Sequence, residues 1–256
     1  MKNILVTGAK GFIGTYIVDH FKDKYNVSTI EDEDICSQNL KPYFRHIDYV
    51  IHLAAISGID YCDENPELAN RVNFFGTENI LSYAHDRGVR KVIFISSSSV
   101  YHSKGIYAKT KKNAEKMCKY YSDNLGLQTI VLRLCNVYDL NKGYGVVDKF
   151  YDSNKLGMPL NIYGSGEDSY DFIHVLDVVD LIEKIVEQDG DHYGDIFDVG
   201  TGNKYSINEI AKTMSDNIIY HEKKIIYKPI NPDVVSTQEA FNWKPQKDLL
   251  ALLKTI

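Results

Sequence analysis

The sequence predicts an α/β protein built on a doubly wound parallel sheet, with a smaller portion towards its C-terminal end. Two observations carry that prediction. Short apolar runs alternate with helical patterns from Asn3 to about Leu134, which is the rhythm of βαβ units and of a sheet covered on both faces. The first of these runs ends at Gly8, and Gly11 and Gly14 follow as a helical pattern begins. With right-handed crossovers, such a fold places its ligand crevice at the carboxyl ends of the strands.

Taken in order, strands are expected at Asn3–Thr7, Val27–Ile30, Asp48–Leu53, Lys91–Ile95 and Gln128–Leu134. Between the third and fourth, a helix is expected from about Pro66 to Arg87, with Leu68, Val72, Phe75, Asn79 and Ile80 near helical spacing. A second long helix is expected over Gly105–Asn124. After about Tyr138 the alternation loosens. Asn161–Gly166 reads as strand and glycine turn, Val175–Gln188 as helix, and Asp195–Val199 as a short strand. Ser206 with Glu209 forms a capping box for a helix to about Ser215, and Pro229, Pro232 and Pro245 interrupt the tail. The expected division is a dinucleotide-binding domain over 1–138 and a smaller substrate-binding portion over 139–256, with some segments returning to the main sheet.

A chain of 256 residues with 44% hydrophobic and 25% charged residues is an ordinary globular composition. Its net charge of −6 and dispersed lysines argue against nucleic acid, because phosphate contacts need a concentrated basic face. Cys36, Cys62, Cys118 and Cys135 show no paired spacing and read as reduced thiols of a cytoplasmic protein. No apolar run reaches the roughly eighteen residues of a membrane span, and the N-terminus reads as a strand, not as a signal peptide. The histidines at 20, 85, 192 and 221 have no metal-ligand spacing, so no metal is expected. His52, in a buried strand pattern, reads as a satisfied core histidine.

The turn Gly8-Ala9-Lys10-Gly11-Phe12-Ile13-Gly14 sits between strand and helix, the context that makes a glycine pattern informative. Its glycines let the backbone turn tightly and let a pyrophosphate approach the helix N-terminus, whose N–H groups and dipole favour anions. This makes the sheet Rossmann-type. The second strand ends in acid some eighteen residues after Gly14, where a carboxylate would hydrogen-bond the adenosine ribose. Glu31 is the first choice and Asp32 the second. Acid there repels a 2′-phosphate, so NAD is expected over NADP, although Lys10 pulls the other way.

The run FISSSSVYHSKGIYAKTKKNAE, residues 94–115, leads from a strand end through serines into a helix carrying Tyr107 and Lys111. Residues four apart share a helix face. A cation beside a phenol favours the phenolate and brings its pKa down from about 10. A serine hydroxyl at the strand end would bond the same substrate oxygen. Such a pair is common on helices by chance, and gains meaning here from a nearby place for a hydride to go.

These pieces together resemble the extended short-chain dehydrogenases/reductases, specifically the NAD-dependent sugar-nucleotide epimerase/dehydratase group. The resemblance runs through the glycine turn, DYVIHLAA at 48–55, Asn73 with Gly76-Thr77, the Ser-Tyr-Lys set, RLCNVY at 133–138 and LNIYGSGEDSYDFIHVLD at 160–177. It implies Tyr107 as general base, Lys111 on the nicotinamide ribose, and Ser97 as the catalytic serine with Ser98 its nearest competitor. It further implies Asp34 and Ile35 at the adenine and Leu53, Ala54 and Ala55 lining the cofactor crevice. Asn73 would support the active-site helix, and Asn136 would contact substrate. Helices around 74–86 and 107–123 would pair two copies into a homodimer.

The departures concern the substrate. Ser97 and Tyr107 lie ten residues apart, where the family has a much longer connection. Tyr170 stands where the family has an arginine that grips the substrate diphosphate, and Lys228-Pro229 is a weaker clamp than a bidentate arginine. Ser98 and Ser99 replace the acid pair that dehydratases use. The expected function is an NAD-dependent epimerase of a nucleotide sugar through a transient keto intermediate. The alternatives are an NADPH-dependent reductase of a 4-keto nucleotide sugar and, in another class, a non-catalytic dinucleotide sensor or scaffold.

Overall fold

The computed structural model describes residues 1–30, 33–102, 104–140, 144–188, 190, 192–222 and 230–255. Its contacts divide the chain into two compact units, one of Met1–Arg133 with Ile182–Phe197 and one of Leu134–Leu181 with Asp198–Ile256.

The first unit opens with β1 (Asn3–Thr7), α1 (Phe12–Phe21), β2 (Asn26–Ile30) and β3 (Tyr49–His52). It continues through α2 (Ile59–Glu64), α3 (Pro66–Asn70), α4 (Thr77–Asp86), β4 (Lys91–Ser97), α5 (Ile106–Leu125) and β5 (Gln128–Leu134). The sheet is six-stranded, in the order β2-β1-β3-β4-β5-β9, closed by β9 (Asp195–Val199). β1 runs parallel to both β2 and β3, and β3 runs parallel to β4. The expected doubly wound α/β fold is therefore what the chain adopts. β3 is buried at every residue and β4 at all but its last, as expected of strands covered on both faces. Leu5, Val50, Phe94, Ile80, Leu81 and Ala114 belong to the core that joins this sheet to α4 and α5.

The helix expected from Pro66 to Arg87 is wound differently at its centre. Arg71–Gly76 forms a π-helical turn between α3 and α4. Gly76 there faces Ile35, and a Cβ would stand 2.6 Å from the isoleucine Cδ1. Lys91, buried at the start of β4, gives its ammonium to the carbonyls of Ile185 and Gln188 at 3.3 and 3.1 Å. It thereby satisfies acceptors at a helix C-terminus.

The second unit has more strands than the sequence suggests. A three-stranded sheet, β10-β8-β6, joins β6 (Asn136–Tyr138), β8 (Ser169–His174) and β10 (Lys204–Ser206). A two-stranded parallel pair joins β7 (Leu160–Tyr163) and β11 (Ile218–His221). Its helices are α6 (Val146–Lys155), the start of α7 (Val175–Glu187), α8 (Ile207–Met214), α9 (Val234–Ala240) and α10 (Leu249–Leu253). The Ser206–Glu209 capping box is formed. Tyr138, Phe150, Leu160, Phe172, Ile210 and Leu249 build a core of its own. The four cysteines are free thiols, three of them buried. Among the described residues, no helix is long and apolar enough to cross a membrane.

Candidate active site

The glycine turn is shaped by contacts that exclude side chains. Gly8 has a φ of +71°, and a Cβ on it would lie 2.7 Å from the Ala54 nitrogen. A Cβ on Gly14 would lie 2.2 Å from the Gly8 carbonyl oxygen, whereas one on Gly11 would lie 3.1 Å from it. The Gly11 N–H donates to that same oxygen at 3.0 Å. α1 opens at Gly11 with no side-chain cap and no acid in its first turn, which contains Phe12, Ile13 and Gly14. An uncapped, ten-residue helix end behind a turn of bare backbone fits a dinucleotide pyrophosphate, which the amides of this first turn would hold. Leu53 and Ala54 follow β3 directly beside it, donating to the carbonyl and the hydroxyl of Thr7, both at 3.2 Å.

Of the acidic candidates, Glu31 and Asp32 lie outside the described residues, as do Lys228 and Pro229. Asp34 accepts the Cys36 N–H at 3.0 Å and the Arg71 guanidinium at 2.7 Å. The Cys36 amide, with Arg71 beside it, holds this carboxyl below the usual range. Ile35 is buried in the core.

Ser97 ends β4 and Tyr107 is the second residue of α5, near enough for the serine to act on the phenol's titration. Ser97 Oγ also accepts the Ser99 N–H, capping the 3₁₀ turn Ser98–Tyr101. Burial pushes the Tyr107 phenol up to about 12, the neighbouring Ser97 works in the opposite direction, and Cys62 adds to the rise. Burial thus opposes the lowering expected of a neighbouring ammonium. Lys111 is buried and donates to the Ile95 carbonyl at 2.5 Å, its ammonium 4.2 Å above the Phe94 ring. Burial brings Lys111 down to about 8, against the pull of Cys118 and Glu115.

A line of buried polar groups joins the two halves of this site. Ala54 N–H donates to Thr7 Oγ1, which lies 2.6 Å from His52 Nδ1, and His52 Nε2 lies 3.0 Å from Thr77 Oγ1. Thr77 gives its proton to the Asn73 carbonyl at 2.9 Å. The hydroxyl has one proton, so His52 must be the donor at Nε2 and the acceptor at Nδ1. Asn73 accepts the Ile56 N–H at 2.7 Å and donates to Ile56 O and to Thr110 Oγ1. Thr110 in turn donates to the Tyr107 carbonyl at 2.9 Å. His52 is thus satisfied at both ring nitrogens, and burial takes it down to about 3.

Further along, Glu115 of α5 receives the Arg133 guanidinium in a two-point contact at 2.9 and 2.8 Å and the Ser96 hydroxyl at 2.6 Å. The same Arg133 reaches the Tyr101 hydroxyl at 3.0 Å. Sequence reasoning met Thr77 and Arg133 only as members of motifs and passed over Glu115 and Thr110, because their partners lie far off in the chain.

In the second unit, Asn136 and Tyr170 are brought together in the lining of one cavity of about 220 Å³, with Phe172, Tyr163, Asp168 and Ile207. Asn136 is pinned by donating to the Asp171 carbonyl at 3.1 Å. Phe172 stands edge-on to Tyr170, with centroids 6.4 Å apart. The aromatic residues of this strand were legible only as part of a motif.

A family model described as the NAD dependent epimerase/dehydratase family matches residues 4–200. A putative UDP-glucose 4-epimerase of Methanocaldococcus jannaschii is 27% identical, over 99% of this chain and 96% of its own. A UDP-N-acetyl-alpha-D-glucosaminuronate decarboxylase of Bacillus cytotoxicus is 28% identical, over 95% of this chain and 93% of its own. Among solved structures, MoeE5 in complex with UDP-glucuronic acid and NAD has a TM-score of 0.91 at 25% identity, covering 99% of this chain and 97% of that one.

Proposed function

Since the chain belongs to the NAD dependent epimerase/dehydratase family, we propose that it is an NAD-dependent epimerase of a nucleotide sugar. The reaction would pass through a transient keto sugar, with Tyr107 as the proton-transfer group. The observation that carries this is the placement of Ser97 at the end of β4 and Tyr107 in the first turn of α5, which packs on that strand, with Lys111 one helical turn on bonded back to the Ile95 carbonyl. Bound NAD would supply the acceptor and then the donor of the hydride. Tyr107 takes a proton from the sugar hydroxyl and returns it in the reverse half, so one phenol serves as base and then as acid. Ser97 holds the substrate oxygen during both transfers, and Lys111 holds the nicotinamide ribose. Within the second unit, the aromatic cavity around Asn136, Tyr170 and Phe172 supports binding of a nucleotide. Binding energy from the nucleotide holds the intermediate while its sugar turns.

The second reading, a reductase of a 4-keto nucleotide sugar, uses the same residues in the opposite sense, the phenol beginning protonated and giving its proton to a carbonyl oxygen. A panel of nucleoside-diphosphate sugars, followed by NMR for inverted sugar and by absorbance for net cofactor change, separates the two. The epimerase returns its cofactor unconsumed; oxidation of one NADPH per turnover would establish the reductase, and binding without turnover the sensor. Tyr107→Phe is expected to keep its affinity for NAD and to lose about 10² or more in kcat. Near-normal turnover in that variant would remove Tyr107 from the mechanism.

The proposal also takes the protein to be a cytoplasmic homodimer. Phe75 and Tyr120 stand exposed on the π-turn and on α5, which supports pairing of these helices between two copies. Sedimentation equilibrium tests it, and a monomer at micromolar concentration would refute it.

A further inference from the structure

Tyr107 occupies the second position of α5, where the backbone N–H groups have no intrahelical acceptor and a helix start is held only by what caps it. The cap residue is Gly105, with φ +78° and ψ 156° and no side chain to offer. The acceptor comes instead from 43 residues earlier in the chain. Asp63, in α2, takes the Ile106 N–H on Oδ1 at 2.7 Å. Both of its carboxylate oxygens lie 3.4–3.5 Å from where a Cβ on Gly105 would stand, with Ile59 beside them at 3.7 Å. A carboxylate at this position faces the positive end of a twenty-residue helix, and charged acceptors make the stronger hydrogen bonds. The preceding residue, Cys62, is fully buried and acts electrostatically on the Tyr107 phenol itself. At the other end of the Ser97–Tyr107 connection, Tyr101 is held under Arg133, with its ring centroid 4.9 Å from the guanidinium carbon.

Resting on Tyr107 as the proton-transfer group, we propose that Asp63 is a positioning residue for it. Its carboxylate supplies, from α2, the cap that Gly105 has no side chain to supply, and so fixes where the phenol stands beside the end of β4. Released from Asp63, the first turn of α5 frays and the phenol loses its fixed place beside the end of β4.

The test uses full-length protein with NAD, labelled with ¹³Cζ-tyrosine, the Tyr107 resonance being identified by its disappearance in Tyr107→Phe. Asp63→Ala is expected to move that resonance and to lower kcat about ten-fold with KM unchanged. Asp63→Asn, whose amide oxygen accepts the same N–H, restores both. Ser206→Ala removes the cap of α8 and serves as the control: it lowers stability and leaves the Tyr107 resonance where it was. If Asp63→Ala lowers the melting temperature while the resonance and kcat stay at wild-type values, Asp63 is a structural cap only and the proposal falls. If Tyr107→Phe keeps its turnover, the base assignment fails by itself. The resonance then decides on Asp63, a shift in the alanine but not the asparagine variant upholding its positioning of the side chain and no shift overturning it.

Discussion

Acidification from pH 7.5 to 5.0 should cost the folded protein a definite amount through His52. In the native structure its imidazole is neutral, wedged between Thr7 and Thr77 with both nitrogens engaged. Burial, with Lys111 nearby, takes its pKa from 6.5 to about 3. The unfolded chain binds a proton on this side chain as pH falls through 6.5, whereas the folded chain does so only near 3. The stability it contributes is therefore complete above 6.5 and is lost progressively as pH falls from 6.5 towards 3. By pH 5.0 the loss amounts to about 2 kcal/mol. Urea unfolding at the two pH values, on wild type and on His52→Gln, measures it. Glutamine does not titrate, so every other acid-sensitive group cancels in the comparison, and wild type should lose about 2 kcal/mol more than the variant. Nitrogen-15 spectra of the folded protein should show neutral imidazole protonated at Nε2 at both pH values. Equal losses in the two proteins, or imidazolium in the folded state at pH 5.0, would refute the buried hydrogen-bond network.

Gly14→Ala places a methyl 2.2 Å from the Gly8 carbonyl, so the turn must shift. NAD affinity, measured by calorimetry, should fall by about ten-fold or more, since overpacking costs about 1–3 kcal/mol. Gly11→Ala, with 3.1 Å available, should lose less, and equal losses would mean that the turn yields freely. Arg133→Ala leaves Glu115, only 3% exposed, without its guanidinium. It should destabilise the protein by about 3–5 kcal/mol in urea titration. Replacing both partners by apolar residues, Arg133→Met with Glu115→Leu, should recover most of that, and a double variant as unstable as the single one would contradict the burial argument.

The glycine turn and the strand-helix alternation were legible because each is local. A helix start, a positive φ and an apolar run declare themselves within a few residues. Ser97 and Tyr107 were legible as types at the end of a strand and the start of a helix. Their electrostatics were not legible, because desolvation depends on what covers a phenol, and Cys62 comes from a different helix. Asp63 gives no local signal for the same reason, since its partner Ile106 is far away in sequence. The short strands β6, β8 and β10 escaped because three to six residues are too few to display a period, and Tyr-Asp-Phe reads equally as loop. The helix from Pro66 was placed correctly, but nothing in Arg71–Gly76 announces a π-turn.

That turn also constrains how the chain can change. A π-turn carries one residue more than an α-helix over the same rise, and each residue of a helix advances the winding by about 100°. Asn73 faces Ile56 and Thr110 while Gly76 faces Ile35, two directions that ordinary winding of these six residues would not reproduce. Deleting a single residue here would leave an ordinary α-helix whose two halves keep their phase, but it would re-aim the residues inside the turn, Asn73 and Gly76 among them. The extra residue therefore serves the aim of those two positions, not the register of the helix on either side.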